Sequence, residues 1–181
     1  MQALMDSVNL NHEIFESGDE FLEKITEQRP GCLVLDIRMP GLGGLELQEE
    51  LIKRGNTLPI IFITGHGDVP MAVEAMQKGA VDFIQKPFRD QELLDRIREA
   101  LATDEERREE QQQHAEVNQR LDRLTNRERE VFDLVVTGKP NKVIAYELGV
   151  SQRTVEIHRA RVMEKMQARS LADLVKMHMT A

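Results

Sequence analysis

A single cysteine, Cys32, stands among 181 residues, so an internal disulfide is excluded and a reducing compartment suits the chain. Its place in an apolar run reads as core packing and not as a nucleophile. Long apolar stretches are missing too. Cys32 to Leu35 and Ile60 to Ile63 are far short of the roughly 20 residues that a membrane-spanning helix needs. No Lys or Arg precedes Lys24, and no apolar block follows Met1, so the pattern of a secretory leader is absent. Apolar residues make up 40% and charged ones 31%, which excludes a disordered chain. These absences describe a cytoplasmic globular protein, with no membrane partner, large enough for one large or two small domains.

The net charge of −8 argues against a nucleic-acid partner until it is divided along the chain. Residues 1–102 carry 10 basic and 18 acidic side chains, residues 103–124 carry 4 and 7, and residues 125–181 carry 10 and 7. A basic C-terminal segment on an acidic body is the distribution of a DNA-binding module attached to another domain.

The first hundred residues alternate between two periods. Met1 to Val8 reads as the end of a helix, and His12 to Phe15 as a short strand. Ser17 to Glu20 forms a capping box opening a helix that carries Phe21, Leu22 and Ile25. Cys32 to Asp36 reads as a fully buried strand, followed by an amphipathic helix with Leu47, Leu51 and Ile52 on one side. Pro59 to Thr64 is a second buried strand, Val69 to Lys78 a helix ended by Gly79, and Val81 to Gln85 a third strand. Strands separated by helices predict a parallel sheet covered on both faces.

From Asp90 the pattern is helical, with Leu93, Leu94, Ile97 and Leu101 on one face. Residues 103–114 contain no large apolar side chain. Charge pairs such as Asp104 with Arg108 and Glu116 with Arg120 support a solvated helix there. Val117, Leu121 and Leu124 restore a short seam, which reads first as a linker and second as a dimer contact. Beyond it, Thr125-x-x-Glu128, Asn141, Ser151 and Ser170-x-x-Asp173 each cap a short helix. The turn Gly149-Val150-Ser151 joins two of them as a helix-turn-helix.

Three polar residues end the three apolar strands: Asp36, Thr64 and Lys86. In a doubly wound sheet such ends converge on one edge, where ligands bind. A carboxylate, a hydroxyl and an ammonium there suit a transferred phosphoryl group. Any one of them alone is an ordinary loop residue.

The motifs Leu33-Val-Leu-Asp36-Ile-Arg-Met-Pro-Gly-Leu-Gly-Gly44, Phe62-Ile-Thr64-Gly-His and Asp82-Phe83-Ile-Gln-Lys86-Pro-Phe resemble the receiver domain of two-component response regulators. The resemblance implies a flavodoxin-like fold with Asp36 as phosphoacceptor. It makes Thr64 the residue that contacts the phosphoryl group, Lys86 its ion-pair partner and Phe83 an aromatic switch; Phe83 reads equally as core packing. The bond before Pro87 is a candidate for the cis isomer.

Receivers begin with a central strand followed by an acidic pair that helps bind Mg²⁺, and neither lies in this sequence. The expected receiver therefore lacks its first strand. The remaining metal ligands would be Asp36 and the Arg38 carbonyl, a weak Mg²⁺ set. Three accounts stay open: a start further upstream, a strand supplied by another chain, or a degenerate receiver. The first fits best, because Met1 occupies a mid-helix position.

Residues 125–181 resemble the LuxR-type DNA-binding domain of the NarL/FixJ regulators, through Leu124-Thr-Asn-Arg-Glu-Arg-Glu-Val, Asn141-Lys-Val-Ile-Ala-Tyr-Glu-Leu-Gly-Val and Ser151-Gln-Arg-Thr-Val-Glu-Ile-His. The FixJ-like branch fits best. A helical wheel with Val155, Val162 and Met166 inward predicts that Arg153, Glu156, Ile157 and Ala160 face base edges in the major groove. Thr154, His158, Arg159, Arg161, Lys165 and Lys142 flank that set and would reach phosphates.

The resulting expectation is an α/β receiver at 1–102, a helical linker at 103–124 and a four-helix, all-α DNA-binding domain at 125–181. Its partners would be duplex DNA, a sensor histidine kinase as phosphodonor, a second copy when active, and RNA polymerase. It would act as a transcriptional regulator and not as an enzyme. The alternative is a regulator independent of phosphorylation, with the receiver used for protein contacts. An aspartyl-phosphate phosphatase is disfavoured, because Arg38 stands where such hydrolases keep a second Asp.

Overall fold

The computed structural model describes residues 2–25, 29–65 and 69–181. The chain divides into two compact units, Met1–Arg107 and Arg108–Ala181. The first contains three parallel strands in the order β1-β2-β3: Leu33–Asp36, Ile60–Thr64 and Asp82–Gln85. Helices α1 (Gln2–Ser7), α2 (Gly18–Lys24), α3 (Gly44–Lys53), α4 (Val69–Gln77) and the start of α5 (Asp90–Leu121) cover it.

Alternation along the strands creates two cores, since successive side chains point to opposite faces. Ile60 and Phe62 join Leu35, Leu47, Leu51, Ala72 and Ala75 on one face. Ile61 joins Ile84, Leu93, Leu94, Ile97 and Met5 on the other. Every residue of β2 is buried, as its unbroken apolar run predicts for a strand covered on both sides.

β1 departs from its expected burial. Its unbroken apolar run predicts full burial, yet of its four residues only Leu35 is buried. The Leu33 N–H donates to the Pro59 carbonyl at 2.8 Å, and the Ile37 N–H to Ile63 at 3.1 Å. These odd-numbered residues face β2, so the N–H and C=O groups of Val34 and Asp36 point the other way. A cavity of about 500 Å³ lies along that free edge, lined by Phe21, Leu33, Leu35 and Ile97 on one side and residues 10–15 on the other.

The same gap corrects the predicted strand at His12–Phe15, which forms no ladder among the described residues. A strand needs a hydrogen-bonding neighbour, and the cavity occupies that place. Glu13 and Arg29 form an ion pair between residues that line the cavity.

Two smaller expectations also change. Ile52 is 51% exposed, and Gln48 takes the buried place beside Leu47 and Leu51. Gln48 lies one residue past Leu47 on the wheel and Ile52 five, so only the former turns inward. The Gln48 amide N–H donates to the Ala75 carbonyl at 3.0 Å, tying α3 to α4. Ser17 caps α2 by accepting from the Glu20 N–H, but Glu20 reaches back to the Glu16 N–H and not to Ser17.

α5 runs 32 residues, and the division between the units falls inside it. Asp104 is buried, accepting from the Gly31 N–H at 3.1 Å and pairing with Arg107, three residues on. Arg107 in turn donates to the Thr57 carbonyl. Burial and the nearby Asp104 charge push the Cys32 thiol up to about 11, consistent with an unreactive packing role.

In the second unit Val117 and Leu121, read from sequence as a seam, enter the core with Val131, Phe132, Ile144, Val155, Val162, Met166 and Leu174. Its other helices are α6 (Asn126–Val136), α7 (Asn141–Leu148), α8 (Gln152–Met166) and α9 (Leu171–Thr180). Thr125, Ser151 and Ser170 cap as predicted. Asn141 does not; Pro140 occupies the cap of α7 with φ of −70°, and Asn141 is the first helical residue.

Because this edge is free, the Val34 and Asp36 amides exchange with solvent deuterium at least about tenfold faster than those of Leu33 and Ile37, which are bonded to β2. Residue-resolved exchange by NMR measures this, and equal protection would show that the edge is covered.

Candidate functional site

At the carboxyl ends of the strands the structure brings two of the three expected residues into contact. The Lys86 ammonium donates to Asp36 Oδ2 at 2.5 Å, across the width of β2. The other carboxylate oxygen accepts from the Arg38 N–H at 3.0 Å, which fixes the ring-like turn after β1. Thr64 ends β2 between them, 2% exposed, and its carbonyl accepts from the Lys86 N–H at 2.8 Å. The Lys86–Pro87 peptide is cis. Phe83 is 38% exposed on β3 and does not join either core of this unit.

The Asp36 side chain is about one-third exposed and Lys86 about half, so a small anion can reach both. A carboxylate oxygen held beside an ammonium is a nucleophile next to a charge neutraliser. Gly44 sets how closely α3 approaches this edge. Its N–H donates to the Ile37 carbonyl at 3.0 Å, and a Cβ there would lie 2.5 Å from the Asp36 carbonyl oxygen.

The Mg²⁺ that the receiver resemblance implies does not fit the described residues. They contain no group of three or more His, Cys, Asp or Glu able to hold a metal ion. Asp36 itself already accepts from Lys86 and Arg38.

The second unit presents α8. Ser151 Oγ accepts from the Thr154 N–H at 3.1 Å and exchanges a hydrogen bond with its hydroxyl, which starts the helix and half-buries Thr154. Val155, Val162 and Met166 are fully buried, as the wheel predicted. Arg153, Glu156, Ile157, Ala160 and Arg161 are exposed. The side chains of Arg153, Arg161 and Lys142 form no hydrogen bond or ion pair among the described residues. Arg159 is half-buried and donates to Asn141 Oδ1 at 3.0 Å, joining α8 to the start of α7. His158 is half-buried, and its Nδ1 has no partner among the described residues.

Lys165 is held within the unit: its ammonium donates to Glu128 Oε2 at 2.6 Å and to the Arg123 carbonyl at 3.0 Å. Glu128 also completes the Thr125 capping box. The Lys165 contact and the Thr125 N–H hold its carboxyl down at about 2. The box is legible as Thr-x-x-Glu, but a partner 37 residues away leaves no local signal.

A parallel α/β unit with Asp36 and Lys86 joined at its strand ends, followed by a helix-turn-helix unit with exposed cations, defines a class: regulators that couple a signal-receiving domain to DNA binding. Comparison with known proteins agrees. Residues 1–98 match the response regulator receiver domain, and residues 122–178 match the bacterial regulatory proteins of the luxR family. Nodulation protein W of Bradyrhizobium diazoefficiens is 51% identical over 98% of this chain and 78% of its own length. Transcriptional regulatory protein FixJ of Azorhizobium caulinodans is 46% identical over 98% of this chain and 84% of its own. The solved structure of response regulator StyR matches with a TM-score of 0.91 at 43% identity, covering 99% of this chain and 91% of that one. The chain belongs to the response regulators that carry a receiver domain followed by a LuxR-type DNA-binding domain. No described helix is long and apolar enough to cross a membrane.

Two expected outcomes follow from this geometry. Gly44→Ala destabilises the protein by about 1–3 kcal/mol, because the new methyl meets the Asp36 and Ile37 backbone and the buried Phe62 ring; an unchanged urea midpoint would show that the loop yields. Glu128 is depressed in the folded state, so its stabilising contribution is full above its ordinary value of 4.5 and is lost as pH falls toward about 2. Glu128→Gln removes that part of the acid dependence and lowers stability at pH 7 by about 1–2 kcal/mol. Thermal melts between pH 2 and 7 compare the two.

Proposed function

We propose that this chain regulates transcription by accepting a phosphoryl group on Asp36 and binding duplex DNA through α8. The observation that carries the first half is the Lys86–Asp36 contact at 2.5 Å, on an edge that solvent reaches. An Asp36 oxygen attacks phosphorus, the bond from phosphorus to its donor nitrogen breaks, and an acyl phosphate forms. Lys86 offsets the added negative charge, and Thr64 at the end of β2 contacts the phosphoryl oxygens. The donor is a sensor histidine kinase. Phe83 and the half-exposed residues around it form the surface that changes with phosphorylation and favours a homodimer. The dimer places two α8 helices on two half-sites.

DNA binding rests on the exposed face of α8 and its unpaired cations. Arg153, Glu156, Ile157 and Ala160 face base edges, and Arg161, Lys142, Thr154, His158 and Arg159 lie toward the phosphates. Contact with RNA polymerase is the means of acting on transcription, the site of action is the cytoplasm, and no external substrate is turned over. Magnesium is part of this reading only if carboxylates besides Asp36 reach the site.

A second reading, DNA binding without phosphorylation, is favoured by the lack of a group of three or more metal-binding side chains among the described residues. One experiment separates them: intact mass after acetyl phosphate and Mg²⁺, followed by DNA titration, for wild type and Asp36→Ala. The first reading expects one added phosphoryl group on wild type alone and tighter DNA binding by the phosphorylated form. No added mass, with equal DNA affinities, supports the second.

A further inference from the structure

The inward stripe of α5 changes character along its length. Leu93, Ile97 and Ala100 are buried in a core of the first unit, and the same spacing of three or four residues leads on to Asp104 and Arg107. The next two members of the stripe, Gln111 and His114, are exposed, as is every residue from Glu109 to Glu116. The first unit ends at Arg107. Its final inward side chains on this helix are therefore charged and not apolar.

Both charges grip the amino ends of strands. Asp104, 2% exposed, accepts from the Gly31 N–H at 3.1 Å, two residues before β1. Arg107 donates through one terminal nitrogen to Asp104 and through the other to the Thr57 carbonyl, three residues before β2. A buried carboxylate depends on its cation and its N–H donor together, so loss of one contact weakens the others. The network is also incomplete. The Arg107 Nε is buried and has no hydrogen-bond partner among the described residues. An unpaired buried donor makes this closed arrangement easier to leave than a fully satisfied one. The strands it grips are the two whose far ends carry Asp36 and Thr64, and a parallel ladder holds them in register from Leu33 opposite Ile60 to Asp36 opposite Ile63. Paired strands move as rigid elements, so a shift at their exits is felt at their entries.

We propose that Asp104 and Arg107 form a latch through which the state of the Asp36 edge sets the hold of the receiver on its linker helix. Closed, the latch fastens α5 as far as Arg107. Open, about one and a half turns beyond Leu101 come free and add to the bare stretch that follows. Neither side chain touches the phosphoryl site; both are positioning residues. The inference rests on the phosphoacceptor reading above and deepens it by naming how that site reaches the linker.

Residue-resolved hydrogen exchange on the full chain tests the latch, with and without acetyl phosphate and Mg²⁺ and with intact mass recorded in parallel. In Arg107→Ala the amides of residues 104–108 should exchange at least about tenfold faster than in wild type. Gly31 should also exchange faster, although its own acceptor Asp104 is unchanged. Amides of Ile61 and Phe62 keep their protection if the sheet is intact. Phosphorylated wild type should change at residues 104–108 by at least about threefold, and Arg107→Ala should show no further change there. Equal exchange of wild type and variant at residues 104–108 overturns the latch. Gain of a phosphoryl group by wild type with no change at residues 104–108 overturns it too, and leaves the phosphoacceptor reading standing. No gain of mass by wild type overturns that reading, and the coupling with it.

Discussion

The parallel pairing of β2 with both of its neighbours is the constraint on which the candidate receiver site depends. Leu35 pairs with Phe62 and Phe62 with Phe83, so the three strands advance in step and their polar ends arrive together. Lys86 reaches Asp36 only because β2 holds their strands at a fixed separation. β2 can do so because all five of its residues are buried, which makes its ladder costly to break. Thr64, at the end of this most buried strand, has the least freedom of the three.

The second unit solves a different problem, holding a helix firmly while leaving one side of it bare. Val155, Val162 and Met166 anchor α8 by burial. Lys165 fastens its last turn to Glu128, whose carboxylate also closes the cap of α6. Arg120 donates to the Met166 carbonyl at 3.3 Å, satisfying one acceptor left open at the end of α8. With these contacts made on the inward side and at the far end, the N-terminal half of the outward stripe has no structural duty. That freedom makes it available for recognition.

Much of this was legible because short-range rules governed it. The caps at Ser151 and Ser170, the box at Thr125 and Glu128, and the inward set of α8 follow from spacing alone. Where expectation failed, a distant partner decided. Residues 12–15 have the composition of a strand but no neighbour to bond. β1 has the unbroken apolar run of a fully buried strand and the exposure of an edge. The contact of Lys165 with a carboxylate 37 residues away has no local signal. Val117 and Leu121, read first as part of a linker and second as a dimer contact, pack within their own unit.

Local pattern along the chain singles out which residues could carry the chemistry: a carboxylate, hydroxyl and ammonium at three strand ends, and an exposed polar helix face after a short turn. It does so because periodicity, capping and strand-end position are local properties of a polypeptide. Tertiary structure decided which of those residues meet, that Asp36 and Lys86 touch, that Lys165 is committed inward and that Ile157 is left in water. Those outcomes depend on packing between segments far apart in the chain, where burial and pairing at one site fix what remains free at another.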